Sequence, residues 1–144
     1  MVFLGLDPGV LGGIAAIGED GRPLAVKMPG TDMDIITAIR TMRSGVTNAN
    51  VRAVLERVSS SPQMGVSSAF TFGGIYRALR MALTAEGIPF DEVSPLKWQR
   101  VMGCLTGGDK NVSKQRAQQL FPSMKMTHYV ADAILLAEYG RRVA

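Results

Sequence analysis

Apolar residues come first in short runs and then at helical spacing. "VFLGLDP" reads as a buried strand that closes on an acid, "GVLGG" as a tight glycine turn, and "IAAIG" as a second strand ending at the turn "EDGRP". "LAVKMP" makes a third. Connections this short cannot carry a chain to a parallel neighbour, so the three predict an antiparallel meander. In "TDMDIITAIRTMRSG", Thr31 precedes Asp34 as a cap, Ile35, Ile36, Ile39 and Met42 recur at helical spacing, and Gly45 ends the helix. "VRAVLERV" is a fourth strand, laid parallel to the first by a right-handed crossover. After the polar loop "SSSPQMG", residues 66–86 predict a long helix with the stripe Phe72, Ile75, Leu79, Ala82 and Leu83. Its other face carries Gly73, Arg77, Arg80 and Thr84. Gly73 and Gly74 are costly inside a helix, which predicts that a backbone or a partner approaches there closely. "PFDEVSP" is a fifth strand, "LKWQRVMG" a short helix, "LTGGDK" a mobile linker, and "NVSKQRAQQLF" and "HYVADAILLAEYGRR" two further helices. The order predicts an α/β fold, a five-stranded mixed sheet with three antiparallel strands and then parallel ones, flanked by helices.

Composition narrows the class. The 144 residues, 47% apolar and 19% charged, predict one globular domain over residues 1–144. No apolar run approaches the roughly 18 residues of a membrane span, and "MVFLGLDPG" lacks the basic start of a signal peptide, so no membrane partner and a cytoplasmic location are expected. The single cysteine, Cys104, has no partner for a disulfide or a structural zinc site. A net charge of +4 is modest evidence for a polyanionic partner. Its distribution says more: Arg77, Arg80, Lys97, Arg100, Lys110, Lys114, Arg116, Lys125, Arg141 and Arg142 crowd the second half, which suits one cationic face.

The acids carry the candidate chemistry. Asp7 closes the first strand and Glu56 sits in the middle of "VLERV" with apolar neighbours; in adjacent strands they stand side by side, a costly arrangement unless a cation neutralises them. Asp132 lies in the apolar last helix one turn after His128, so the two share a helix face. Three carboxylates are hard oxygen ligands suited to Mg²⁺ or Mn²⁺, and imidazole also serves Mn²⁺. Two such ions together perform phosphodiester hydrolysis. Each residue alone also has an ordinary explanation: an acid before Pro-Gly belongs to a turn, a glutamate beside an arginine to a solvated face, a histidine at a helix start to a cap, and a lone Trp98 to the core.

The ordered set "GLDPGVLGGIA", "VLERV", "FTFGGIYRAL", "SPLKWQRVMG", "SKQRAQQLFP" and "ADAILLAEYGRR" resembles the RuvC-type Holliday-junction resolvases, most closely their bacteriophage branch, in the ribonuclease H-like superfamily. The resemblance spans almost the whole chain. It implies a two-metal endonuclease acting on four-way and other branched DNA in recombination, repair or phage DNA processing, with Asp7, Glu56 and Asp132 as catalytic metal ligands binding two Mg²⁺ or Mn²⁺ ions. His128 takes the fourth ligand place, where an aspartate is usual in the phage pattern. Lys114 corresponds to a lysine near the scissile phosphate. Arg77, Arg80, Lys97 and Arg100, with Lys110 and Lys114, are the expected DNA contacts, positioning the backbone without reading it. Bacterial members wedge the junction open with an aromatic residue soon after the strand-four glutamate; "SSSPQM" has none, leaving that work to Met64 or to no residue. Paired nicks imply a homodimer, with the helix over residues 66–86 as its contact. Three alternatives keep parts of the pattern: a branched-DNA-binding module without catalysis, an actin-like nucleotide-binding fragment, and an RNA-cleaving ribonuclease H relative.

Overall fold

In the computed structural model, which describes residues 1–144, five strands form a single sheet. They are β1 (Val2–Asp7), β2 (Gly13–Ile17), β3 (Pro23–Lys27), β4 (Val51–Glu56) and β5 (Phe90–Val93), in the order β3-β2-β1-β4-β5. β1–β2 and β2–β3 pair antiparallel, and β1–β4 and β4–β5 parallel, as the meander and crossover predict. The helices are α1 (Asp32–Met42), α2 (Val66–Ala85), α3 (Pro95–Met102), α4 (Lys110–Leu120) and α5 (His128–Val143). Thr31 caps α1 by accepting a hydrogen bond from the Asp34 amide.

The two-residue period of the strands sorts their side chains to opposite faces. Leu4 and Leu6 of β1 and Ala53 and Leu55 of β4 join Ile35 and Ile39 of α1 and Leu79 and Leu83 of α2 in one core. Val54 of β4 and Val93 of β5 face the other way, against Trp98 and Met102 of α3, Ala117 of α4 and the body of α5. Asp7 and Glu56 fall in the second phase, so both aim at the α5 side. Since Leu6 lies opposite Leu55, the two acids end neighbouring parallel strands. Glu56 is thus the last residue of β4, rather than a mid-strand one.

Helix α5 is buried continuously from Val130 to Gly140, which explains its apolarity on every side. Gly5 lets it lie directly on β1: a methyl at Gly5 would stand 2.0 Å from the Ala133 carbonyl oxygen and 2.4 Å from the Ala137 amide nitrogen. The close approach expected at Gly73 and Gly74 is not made within the chain, because a methyl at either position meets no atom within 4 Å. Both lie on the half of α2 that leaves the sheet, where Val66 and Phe70 are 89% and 84% exposed. Within "LTGGDK", the amide and hydroxyl of Thr106 each donate to Gln99 Oε1 at 3.4 Å, and Asp109 caps α4 by accepting from the Asn111 amide. No helix is long and apolar enough to cross a membrane.

Candidate active site

Asp7, Glu56 and Asp132 come from three elements far apart in sequence and line one cavity of about 310 Å³ with Pro8, Phe72, Gln99 and Lys110. The cavity opens at the carboxyl ends of β1 and β4, where ligands enter open α/β sheets. Asp7 and Asp132 are only 4% and 9% exposed, and Asp7 Oδ2 and Asp132 Oδ1 are buried without a hydrogen-bond partner. Glu56 is different: its Oε2 accepts a 2.7 Å hydrogen bond from the indole N–H of Trp98, itself fully buried.

Burial pushes the Asp7 carboxyl well above its ordinary range, and the charges of Glu56 and Asp132 push it further, against the pull of Lys110. Burial likewise raises Glu56, from 4.5 to about 7; the Trp98 hydrogen bond and Lys110 hold it down while Asp132 adds to the rise. Two buried orphan oxygens in a cluster of like charges are costly, since an unpaired buried polar atom costs about 1–3 kcal/mol, and a bound cation would offset that cost. The donor set is all carboxylate oxygen, which fits Mg²⁺ or Mn²⁺. The acids do not close into a finished cage, as no three His, Cys, Asp or Glu side chains gather tightly enough to enclose one ion.

The remaining expected site residues divide. Lys110, the first residue of α4, lines the acid cavity, whereas Lys114, one turn on, is half-buried and does not. Exposed His128 begins α5 but is not among the lining residues, although it shares a helix face with Asp132. Arg80 is held by Glu92 at 3.3 Å and lies 5.9 Å from the Tyr76 ring. Arg77 lines a groove with Ser59, Ser60 and Phe70, while Lys97 lines another with Phe3, Arg52 and Tyr139. Arg100 is exposed on α3.

A second cavity, about 370 Å³, adjoins the first and shares Pro8, Phe72 and Lys110 with it. The β1–β2 turn, with Val10 and Leu11 each 61% exposed, forms one wall, and Met64, Ser67, Ser68 and Thr71 at the start of α2 form the other. Gly65 caps α2 with no side chain and the first turn holds no acid, so the amides of that turn have no side-chain acceptor. Sequence reasoning passed over Phe72 as a wall of the site and Trp98 as a partner of Glu56. Helical spacing assigns Phe72 to a core stripe, and a lone Trp98 reads as core; neither says where a ring's edge points.

No protein-family model and no curated protein sequence matches the chain. Solved structures do. Thermus thermophilus RuvC matches with a TM-score of 0.68 at 15% identity, over 99% of this chain and 96% of that one. T. thermophilus RuvC in complex with Holliday junction substrate matches with a TM-score of 0.65 at 16% identity, over 100% of this chain and 96% of that one. The yeast mitochondrial Holliday junction resolvase matches with a TM-score of 0.52 at 13% identity, over 97% of this chain and 78% of that one. The five-stranded mixed sheet, its flanking helices and these matches together identify the ribonuclease H-like fold of the RuvC-type Holliday junction resolvases.

Proposed function

We propose that the chain is a divalent-metal-dependent endonuclease of four-way and other branched DNA, acting as a homodimer. One observation carries the proposal: three carboxylates from β1, β4 and α5 share a cavity in which two of their oxygens are buried and unpartnered. The support from likeness is that a chain of the same fold is seen with a Holliday junction substrate.

Asp7, Glu56 and Asp132 would hold Mg²⁺ or Mn²⁺ through their carboxylate oxygens. Bound there, the metal supplies Lewis acidity that offsets charge on a phosphate and activates water at neutral pH. Lys110 at the cavity mouth places a fixed positive charge beside the acids, where it favours an entering phosphate and offsets charge that grows on it. The adjoining cavity continues the path: hydroxyls of Ser67, Ser68 and Thr71 and the open amino end of α2 receive backbone phosphates, and Phe72 separates the strand from solvent. Arg77, Arg100, Lys97 and Lys114 extend the cationic surface. For the dimer, α1 and α2 present an apolar groove with Met33 and Met81, 68% and 66% exposed.

The test is nicking of a synthetic four-way junction in Mg²⁺ or Mn²⁺ by wild type and Asp7→Asn. Paired nicks are expected from wild type, and binding without cleavage from the variant. A second reading, a branched-DNA-binding module without catalysis, is favoured by the absence of a finished cage around one ion; binding by both proteins with cleavage by neither selects it.

A further inference from the structure

We propose that Trp98 is a positioning residue for Glu56: its indole N–H occupies one carboxylate oxygen, fixes the side chain at the end of β4, and leaves the other oxygen aimed at the cation. The inference rests on the metal-dependent reading of the site. Among the three acids only Glu56 has a side-chain partner, and that partner is fully buried. The Trp98 ring is clamped in the core beside Met102, Val93 and the α5 body, so the donor cannot follow a carboxylate that swings away. Glutamate has one more rotatable bond than aspartate and most needs such restraint. Donors to a metal-binding carboxylate set its orientation and commonly alter metal affinity 10–100-fold.

Helix α3 also reaches the other side of the cavity. The residue after Trp98, Gln99, lines it and accepts from both the amide and the hydroxyl of Thr106, in the loop that leads to Lys110. One short helix, started by Ser94 and Pro95, thereby braces a ligand strand and the cationic loop together.

Trp98 is the only tryptophan in the chain, so its fluorescence reports on this contact alone. Titrating wild type with Mn²⁺, a paramagnetic quencher, is expected to quench the emission saturably, at the concentration at which calorimetry detects binding. Trp98→Phe removes the donor while keeping an aromatic ring. It is expected to bind Mn²⁺ about tenfold more weakly by calorimetry and to need correspondingly more Mn²⁺ for cleavage, with the rate largely restored at saturating metal. A merely structural role would lower the rate at every metal concentration alike. Should Trp98→Phe fold poorly, replacing the lone tryptophan by benzothienylalanine, in which sulfur stands in place of the N–H at nearly the same volume, asks the same question. Equal Mn²⁺ affinity with and without the donor, in a wild type that cleaves, overturns the positioning role alone. A wild type that takes up no Mn²⁺ overturns it together with the nuclease reading.

Discussion

Two buried acids on α5 have opposite fates. Glu138, 4% exposed, receives 2.8 and 3.1 Å hydrogen bonds from Arg141 and one of 2.9 Å from Arg142. Burial works to raise its carboxyl, but the two guanidinium groups hold it below the ordinary range. Asp132, at the other end of the same helix, has a buried oxygen with no partner and two like charges for neighbours. Burying a carboxylate is expensive wherever it happens. At Glu138 the chain supplies the counter-charge itself, and the residue is structural. At Asp132 it withholds one, and the deficit marks the place where a ligand is expected.

The sharpest way to break the contrast is to neutralise each acid in turn. Asp132→Asn is expected to lower junction cleavage by a factor of about 100 or more while leaving the thermal midpoint unchanged or higher, because a like charge has gone. Glu138→Gln should do the reverse, retaining cleavage per folded molecule and losing stability. Nicking assays and thermal melts of both variants decide it, and cleavage by Asp132→Asn at the wild-type rate would sink the assignment. A larger structural loss comes from stripping Glu138 of its partners: Arg141→Ala with Arg142→Ala leaves a buried charge unpaired, at a cost of about 3 kcal/mol. Gly5→Ala tests what brings the two regions together. Its methyl has no room between β1 and α5, so a loss of about 1–3 kcal/mol is expected on denaturant unfolding, with cleavage falling as Asp132 is pushed from Asp7.

Acidity separates the regions by sign. Glu56 is raised to about 7 in the folded chain, so its share of stability is complete below its ordinary 4.5 and is lost as pH rises through 7. Glu138 is lowered, so its share is present above the ordinary range and is lost only as pH falls below it. In EDTA the wild type is therefore expected to be less stable at pH 8 than at pH 5, by about 2 kcal/mol from Glu56, and Glu56→Gln should flatten that slope. Adding Mn²⁺ should stabilise the protein more at pH 8 than at pH 5, since protons compete for the same oxygens. The smallest effect separates two lysines. Lys110→Ala, at the cavity, is expected to slow cleavage about tenfold, and Lys114→Ala by less, compared at saturating metal; equal losses would move the catalytic lysine back to the middle of α4.

Local pattern already carried the architecture. An apolar run ending in Asp7, turns too short for a crossover and a helix before the fourth strand dictate the meander, the parallel fourth strand and the nearness of the two acids, because loop length and apolar pattern are properties of the chain itself; that Glu56 ends β4 on the same face as Asp7 came from the register. Asp132 was legible as a polar residue in a helix apolar on all sides, which says that it is buried but not beside what. Through-space relations were decided elsewhere. The contact of α5 with β1 across Gly5 brings Asp132 into the cavity with Asp7, while His128, one turn away on the same face, begins the helix exposed and outside that cavity. Lys110 rather than Lys114 lines the cavity because the hydrogen-bonded loop before α4 delivers the helix start to it. Trp98 looked like core and is core, yet its N–H meets Glu56 because α3 packs across the end of β4. Spacing along a chain fixes which side of an element a residue occupies; only the docking of one element on another fixes what it touches there.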